Sequence, residues 1–266
     1  LLQLYAQRQR AEGVAYDTDG EWLERLEASF PYRETDDQAA AIEAVKEALE
    51  ASRPMDRLVC GDVGFGKTEV AVRAAFAIAT NGRQVLVLCS TTILAEQHWN
   101  TFRDRYRDFP VRVELVSRFR STGDIKQTLL DFSEGKVEVL VGTHRILSRD
   151  VIPKDLGLVV VDEEQRFGVA QKELLRALRL EVDVLTLSAT PIPRTLHMSL
   201  SGLRDISIIE TPPEGRRPIR TTVAEVDGEL IRTALERERA RGGQSFYLHN
   251  RVETIEDATA KLQQLC

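Results

Sequence analysis

The sequence predicts an α/β protein: a mainly parallel sheet covered by helices on both faces, followed by the start of a second α/β unit. Three observations predict it. A phosphate-loop motif stands between an apolar run and a helix-forming run, and short Val/Leu-rich runs then recur with helical stretches between them. Finally, a Pro/Gly-rich segment at 212–218 breaks that rhythm before a new strand–helix–strand pattern begins. Apolar runs that do not alternate with polar residues, and are separated by helices, mark parallel strands buried on both faces.

Residues 1–30 read as helix, loop, helix. Leu1, Leu2, Leu4 and Tyr5 form one apolar patch, and Trp22, Leu23, Leu26 and Phe30 form another. From 36 to 50 an Ala-rich amphipathic helix carries Ile42, Val45 and Leu49 on one face. Strand-like runs follow at 58–60, 85–89, 111–116, 137–141, 158–161 and 182–187. After the linker the pattern gives a strand at 219–226, a helix at 229–241 and a strand at 244–248. The expected organisation is a helical connector (1–30), a first α/β domain (31–211), a linker (212–218) and the truncated start of a second domain (219–266).

Composition narrows the function classes. With 42% hydrophobic and 29% charged residues the chain has an ordinary core, and its net charge of −6 announces no global nucleic-acid surface. A nucleic-acid site must therefore be a local patch. Cys60 and Cys89 sit in apolar runs, and Cys266 stands at the end. No spacing suits a protein-only metal site, so reduced thiols and a cytoplasmic location are expected. No run approaches the 18 apolar residues of a membrane span. The chain starts at Leu1 and stops at Cys266 inside a helical pattern, so a fragment of a longer protein is expected.

Gly61-Asp62-Val63-Gly64-Phe65-Gly66-Lys67-Thr68 matches G-x-x-x-x-G-K-[ST] in the strand–loop–helix context that the motif requires. Its glycines let backbone N–H groups turn onto phosphate oxygens, and the helix start adds its positive dipole end. Lys67 is expected to reach the outer phosphates and the Thr68 hydroxyl to hold Mg²⁺. A Gly-rich turn without a ligand is the alternative. Asp162-Glu163-Glu164-Gln165 ends the run at 158–161. Asp162 there can hold Mg²⁺ opposite Thr68, and Glu163 can take a proton from an attacking water. Alone, this fits a solvated acidic turn as well. Ser188-Ala189-Thr190 follows the next run and leads into Pro191-Ile192-Pro193-Arg194. It can report on the outer phosphate, or be an ordinary helix cap with proline punctuation.

Together the tracts GDVGFGKTEV (61–70), DEEQRFGV (162–169) and LSATPIPRTL (187–196) resemble superfamily 2 helicases and translocases, in the branch of the transcription-repair coupling factors and RecG helicases. Asp162-Glu163-Glu164-Gln165 and Phe65 favour the coupling factors. The resemblance implies a RecA-like P-loop NTPase domain, ATP with Mg²⁺, and double-stranded DNA as the track. It also implies RNA polymerase and excision-repair proteins as partners, reached through regions outside this chain. Lys67, Asp162, Glu163 and Gln165 become the catalytic set; Ser188, Ala189, Thr190 and Arg194 become the coupling segment. The alternatives are a RecG-type fork-remodelling helicase or a P-loop scaffold that binds nucleotide without moving. Residues 1–10 look like the helix before that motor. An arginine finger from the rest of a second lobe can be worth roughly 10³–10⁵ in rate, so this stretch alone is expected to turn over little ATP.

The family reads adenine ahead of the phosphate loop. Here Phe30-Pro31-Tyr32 and Thr35-Asp36-Asp37-Gln38 are similar, with Asp36 where the family has Pro. Phe30 could stack on the base and Gln38 engage its edge, although a helix cap with a solvent-facing Gln fits too. Three segments correspond to family DNA contacts: Thr91 and Thr92, with Gln97 and His98 on the next helix and Ser90 in place of the usual Pro; Arg118 within 117–120; and Gly142, Thr143 and His144. His249, Asn250 and Arg251 resemble the first motif of a second motor domain. Such hydroxyl, amide and Arg contacts to phosphate set register and salt dependence without reading bases. Each segment alone also fits a solvated loop.

Overall fold

The computed structural model of the chain describes residues 10–189, 204–216 and 221–265. The chain divides into a large unit up to Arg216 and a small one beyond it.

In the large unit, helix α1 (Glu21–Ala28) precedes α2 (Asp36–Glu50). Thr35 caps α2 by accepting from Gln38 N, and the Gln38 side chain returns a bond to Thr35 N, closing a capping box. Strand β1 (Asp56–Gly61) then leads through the phosphate loop into α3 (Lys67–Thr80). Next come β2 (Gln84–Leu88), α4 (Thr92–Arg105), β3 (Val113–Val116), α5 (Thr122–Ser133) and β4 (Val139–Gly142). The unit ends with β5 (Leu156–Asp162), α6 (Val169–Leu178), β6 (Asp183–Ser188) and β7 (Asp205–Ile209).

The strands form one sheet in the order β3-β4-β2-β5-β6-β1-β7, and every neighbouring pair is parallel. Both faces are covered, as the apolar runs predict. Along β5, Leu158 and Val160 join the core under α3 and α4, whereas Val159 and Val161 join a second core with Phe132, Ile146 and Leu175. Phe76 of α3, fully buried, packs against Tyr106 with ring centroids 5.2 Å apart. Aromatic rings in this setting carry about 3–5 kcal/mol against truncation to Ala.

Two corrections to the sequence reading emerge. The edge strand β7, beside β1, was not anticipated. Beyond the linker, residues 221–226 and 244–248 are not strands. The small unit consists of α7 (Gly228–Ala240), a 3-10 turn (Val252–Thr254) and α8 (Ile255–Leu265). A strand exists only through ladder bonds to a partner, and its candidate residues Val223, Val226, Phe246 and Leu248 are each at least 89% exposed. The expectation of a helix at 1–10 lies almost wholly outside the described residues.

Candidate functional site

All strands run the same way, so the loops that follow β1, β5 and β6 leave one edge of the sheet side by side. This is where ligands bind in open α/β sheets. The phosphate loop turns through Gly64 (φ 80°) and Gly66 (φ 83°), both in the left-handed region. A Cβ at Gly66 would also lie 2.4 Å from Gln38 Nε2, so that amide would have to move and give up its bond to the Phe65 carbonyl. Lys67 Nζ donates to the carbonyls of Gly61 (2.5 Å) and Asp62 (3.0 Å). Burial pushes the Lys67 pKa down, while Asp162, Glu163 and Asp62 pull it back up. Asp62 Oδ1 accepts from Val63 N at 2.8 Å. Arg216 from the linker donates to Asp62 Oδ2 (3.1 Å) and to the Val63 carbonyl, and its guanidinium lies 4.5 Å from the Phe65 ring centre.

Gln38 is buried rather than facing solvent, and its amide is used at both ends. Oε1 accepts from Thr35 N at 2.9 Å, and Nε2 donates to the Phe65 carbonyl at 2.9 Å. Phe30 lies edge-on to Tyr32, with the guanidiniums of Arg73 and Arg105 at 5.5 and 5.4 Å from its ring. A base contact by these residues would have to share or displace such interactions. Those arginines meet at Glu69 in the first turn of α3: Oε1 accepts from Arg73 Nε (3.1 Å) and from Arg105 Nη2 (2.7 Å). Sequence reasoning missed this buried cluster, since its members are 4 and 36 residues apart.

At the end of β5, Asp162 is buried and its Oδ2 lies 2.8 Å from His98 Nε2. Glu163 adopts φ 56°, ψ 54°, a left-handed conformation that costs roughly 1 kcal/mol or more for a residue with a Cβ. It is the one non-glycine with positive φ among the described residues. That turn brings its carboxylate to the neighbouring strand end: Oε1 accepts from Ala189 N at 2.9 Å, Oε2 accepts from Gln165 Nε2, and Glu163 N donates to the Leu187 carbonyl at 3.0 Å. Ser188 closes β6 and is buried. Thr190 and Arg194 lie outside the described residues. Glu164 pairs instead with Arg179 (2.8 Å) and Arg204 (3.4 Å) on the far side of the acidic turn.

Gly64, Lys67, Thr68, His98, Asp162, Glu163 and Ala189 thus line one cleft of about 700 Å³. Lysine and glycine-loop amides on one wall, with a hydroxyl and a buried carboxylate, suit a triphosphate with its Mg²⁺. Among the described residues no cluster of three or more His, Cys, Asp or Glu could hold a metal by itself.

The loops after β2, β4 and β3 leave the same edge beyond β5. Thr91 Oγ1 caps α4 by accepting from Leu94 N at 3.2 Å, and Thr92 is the first residue of that helix. Arg118 is exposed, 5.2 Å from the centre of the exposed Phe119 ring. Gly142 ends β4 where a Cβ would lie 2.8 Å from the Val116 carbonyl, and Thr143 and His144 open the short turn after it. Between these loops Trp99 has Arg103 and Arg120 at 4.3 and 4.8 Å from its ring, a basic–aromatic pairing across elements that sequence reasoning missed. In the small unit, His249 Nε2 lies 2.7 Å from Thr254 Oγ1, and Asn250 and Arg251 are exposed. Among the described residues no helix is long and apolar enough to cross a membrane.

Comparison with known proteins bears on the family and the fold. The chain is 52% identical over 265 residues to the transcription-repair-coupling factor of Bacillus subtilis, and 54% identical to that of Staphylococcus aureus. All of this chain is covered, but it spans only 22% and 23% of those relatives. Among solved structures it is similar to RecG bound to a three-way DNA junction (TM-score 0.83, 28% identity, 99% of this chain and 36% of that one). The helicase MrfA bound to DNA shares the fold at TM-score 0.65 and 14% identity, over 96% of this chain and 40% of that one. The DEAD/DEAH box helicase model matches residues 35–199, from the Thr35 cap through the phosphate loop and acidic turn to the segment after β6. The chain therefore belongs to the DEAD/DEAH box helicase family.

Proposed function

We propose that this chain is the ATP-binding motor lobe of a double-stranded DNA translocase acting in transcription-coupled repair. The observation that carries the reading is the bond from Ala189 N to Glu163 Oε1. It ties the acid best placed to activate water to the segment that would sense the outer phosphate. Identity of 52–54% to coupling factors along the entire chain supports the biological setting.

Bound Mg²⁺ would neutralise charge on the outer phosphates. Lys67 would exchange the Gly61 and Asp62 carbonyls for phosphate oxygens, and Thr68 and Asp162 would hold the metal. Glu163 would accept the proton of the attacking water, steadied by Gln165. The loops carrying Thr91, Thr92, Arg118, Thr143 and His144 would grip the backbone of duplex DNA. In the full-length protein, closure on ATP and release after hydrolysis would alternate that grip. RNA polymerase and excision-repair proteins would engage other parts of it.

Lys67→Ala should abolish ATP turnover in the full-length protein, and Glu163→Gln should leave ATP binding intact while stopping hydrolysis. Undiminished DNA-stimulated hydrolysis in either variant would sink the assignment. The match to RecG favours a second reading, fork remodelling by the same motor. Displacement of a stalled polymerase, against regression of a model fork, separates the two.

A further inference from the structure

We propose that His98 is a positioning residue that couples the DNA-contact end of α4 to the acidic end of β5, holding Asp162 in register with what the first turn of α4 has bound. The proposal rests on the nucleotide and DNA reading above.

Helix α4 borders both regions. Its N-cap is Thr91 and its first residue Thr92, which present hydroxyls and the positive end of the helix dipole at the DNA-contact edge. His98 lies seven residues after Thr91, about 10 Å along the axis, and aims Nε2 at Asp162 Oδ2, 2.8 Å away. Both side chains are nearly enclosed, at 9% and 12% exposure. A carboxylate only accepts, so Nε2 is the donor. The other ring nitrogen, Nδ1, is buried without a hydrogen-bond partner, and the ring otherwise packs against Phe102 with centroids 6.3 Å apart. The polar function of His98 is therefore spent on Asp162.

Partners of this kind orient a ligating carboxylate, and losing one commonly costs 10–100-fold in metal affinity or activity. The contact is also sensitive to position. An N–H···O bond at 2.8 Å weakens steeply once stretched past about 3.2–3.5 Å. A shift of α4 by well under 1 Å is enough to make or break it. Thr92 and His98 belong to one continuous helix, which Ala95 and Phe102, both fully buried, seat on the core. Phosphate bound at Thr91 and Thr92 thus acts on Asp162 through one rigid element and one hydrogen bond.

The test measures binding rather than turnover. With full-length protein, the Kd for a fluorescent random-sequence duplex is read by anisotropy, with and without Mg²⁺ and a non-hydrolysable ATP analogue. The ratio of the two values is the coupling, and linkage makes it reciprocal. In the wild type it should be at least about fivefold in one direction. His98→Phe keeps the ring packing but loses the donor, and should bring the ratio to within about twofold of one. His98→Gln keeps a donor and should recover much of the coupling. A wild-type ratio in His98→Phe, or equal loss in both variants, marks a packing residue and overturns the proposal. A wild-type protein with DNA-stimulated hydrolysis but a ratio near one overturns this proposal alone. Absence of DNA-stimulated hydrolysis overturns the functional reading beneath it as well.

Discussion

The side-chain amide of Gln38 donates to the backbone carbonyl of Phe65 at 2.9 Å, tying the first turn of α2 to the middle of the phosphate loop. The same amide closes the capping box with Thr35. Gln38→Ala removes both bonds, and should cost about 1–2 kcal/mol of stability in urea melts. It should also raise the KM for ATP several-fold. An unchanged KM would show that the loop keeps its shape without this tie.

Gly66 is constrained twice, by φ 83° and by Gln38 Nε2 lying 2.4 Å from any Cβ. Gly66→Ala should therefore lower the Tm and eliminate nucleotide binding, at a cost above about 1 kcal/mol. Adding Gln38→Ala removes the clash but not the backbone strain. The double variant should consequently be more stable than the sum of the two single effects, and simple additivity in calorimetry would contradict the steric account.

Glu69 receives Arg73 and Arg105 in an enclosed site, where the three side chains are 10%, 5% and 13% exposed. Glu69→Ala would strand two guanidiniums. Arg73 keeps Glu34, and Arg105 keeps Ser29 and the Leu26 carbonyl, so the loss belongs at the lower end for broken buried pairs, about 3 kcal/mol. Chemical denaturation with an unchanged m-value is the expected signature, and a loss below about 1 kcal/mol would refute it.

Burial raises the Asp183 pKa to about 7, with Met55 N donating to Oδ1 at 2.6 Å and Arg83 opposing the shift. The folded chain thus holds a proton that the unfolded chain gives up near pH 4. This contribution is fully present below that value and is lost as pH rises towards 7. Asp183→Asn cannot ionise, so the stability difference between variant and wild type should move in the variant's favour by roughly 2–4 kcal/mol from pH 4 to pH 8. Parallel pH–stability curves for the two proteins would disprove it.

What the sequence made legible is the chemistry carried by short contiguous runs. The phosphate loop and the acid-tipped β5 declare themselves because glycines, Lys67 and the carboxylates must be adjacent to work, and the apolar runs reveal strands buried on both faces. Pairing is non-local, and there the reading failed. Ile206, Ile208 and Ile209 form a strand only because β1 offers a free edge, whereas Val223 and Phe246 have no such edge and form none. The helix cap at Thr35 and Gln38 is legible in the sequence as one of two readings of that segment, but the bond from Gln38 to Phe65 depends on a fold that brings together positions 27 residues apart. The Glu69 cluster and the His98–Asp162 contact were hidden for the same reason.

The sheet order also sets a timetable. Among the described residues, strand β1 pairs only with β6 and β7, which lie more than 120 residues later. At ribosomal speeds of about 5–20 residues per second, the strand bearing the phosphate loop waits on the order of 10 s for a neighbour. The half of the sheet made by β2, β3 and β4 can assemble while β1 still stands alone. A nascent chain therefore sets the loops after β2, β3 and β4 before the phosphate loop has a paired strand behind it, and the cleft at the ends of β1, β5 and β6 is complete only when its last strands have docked.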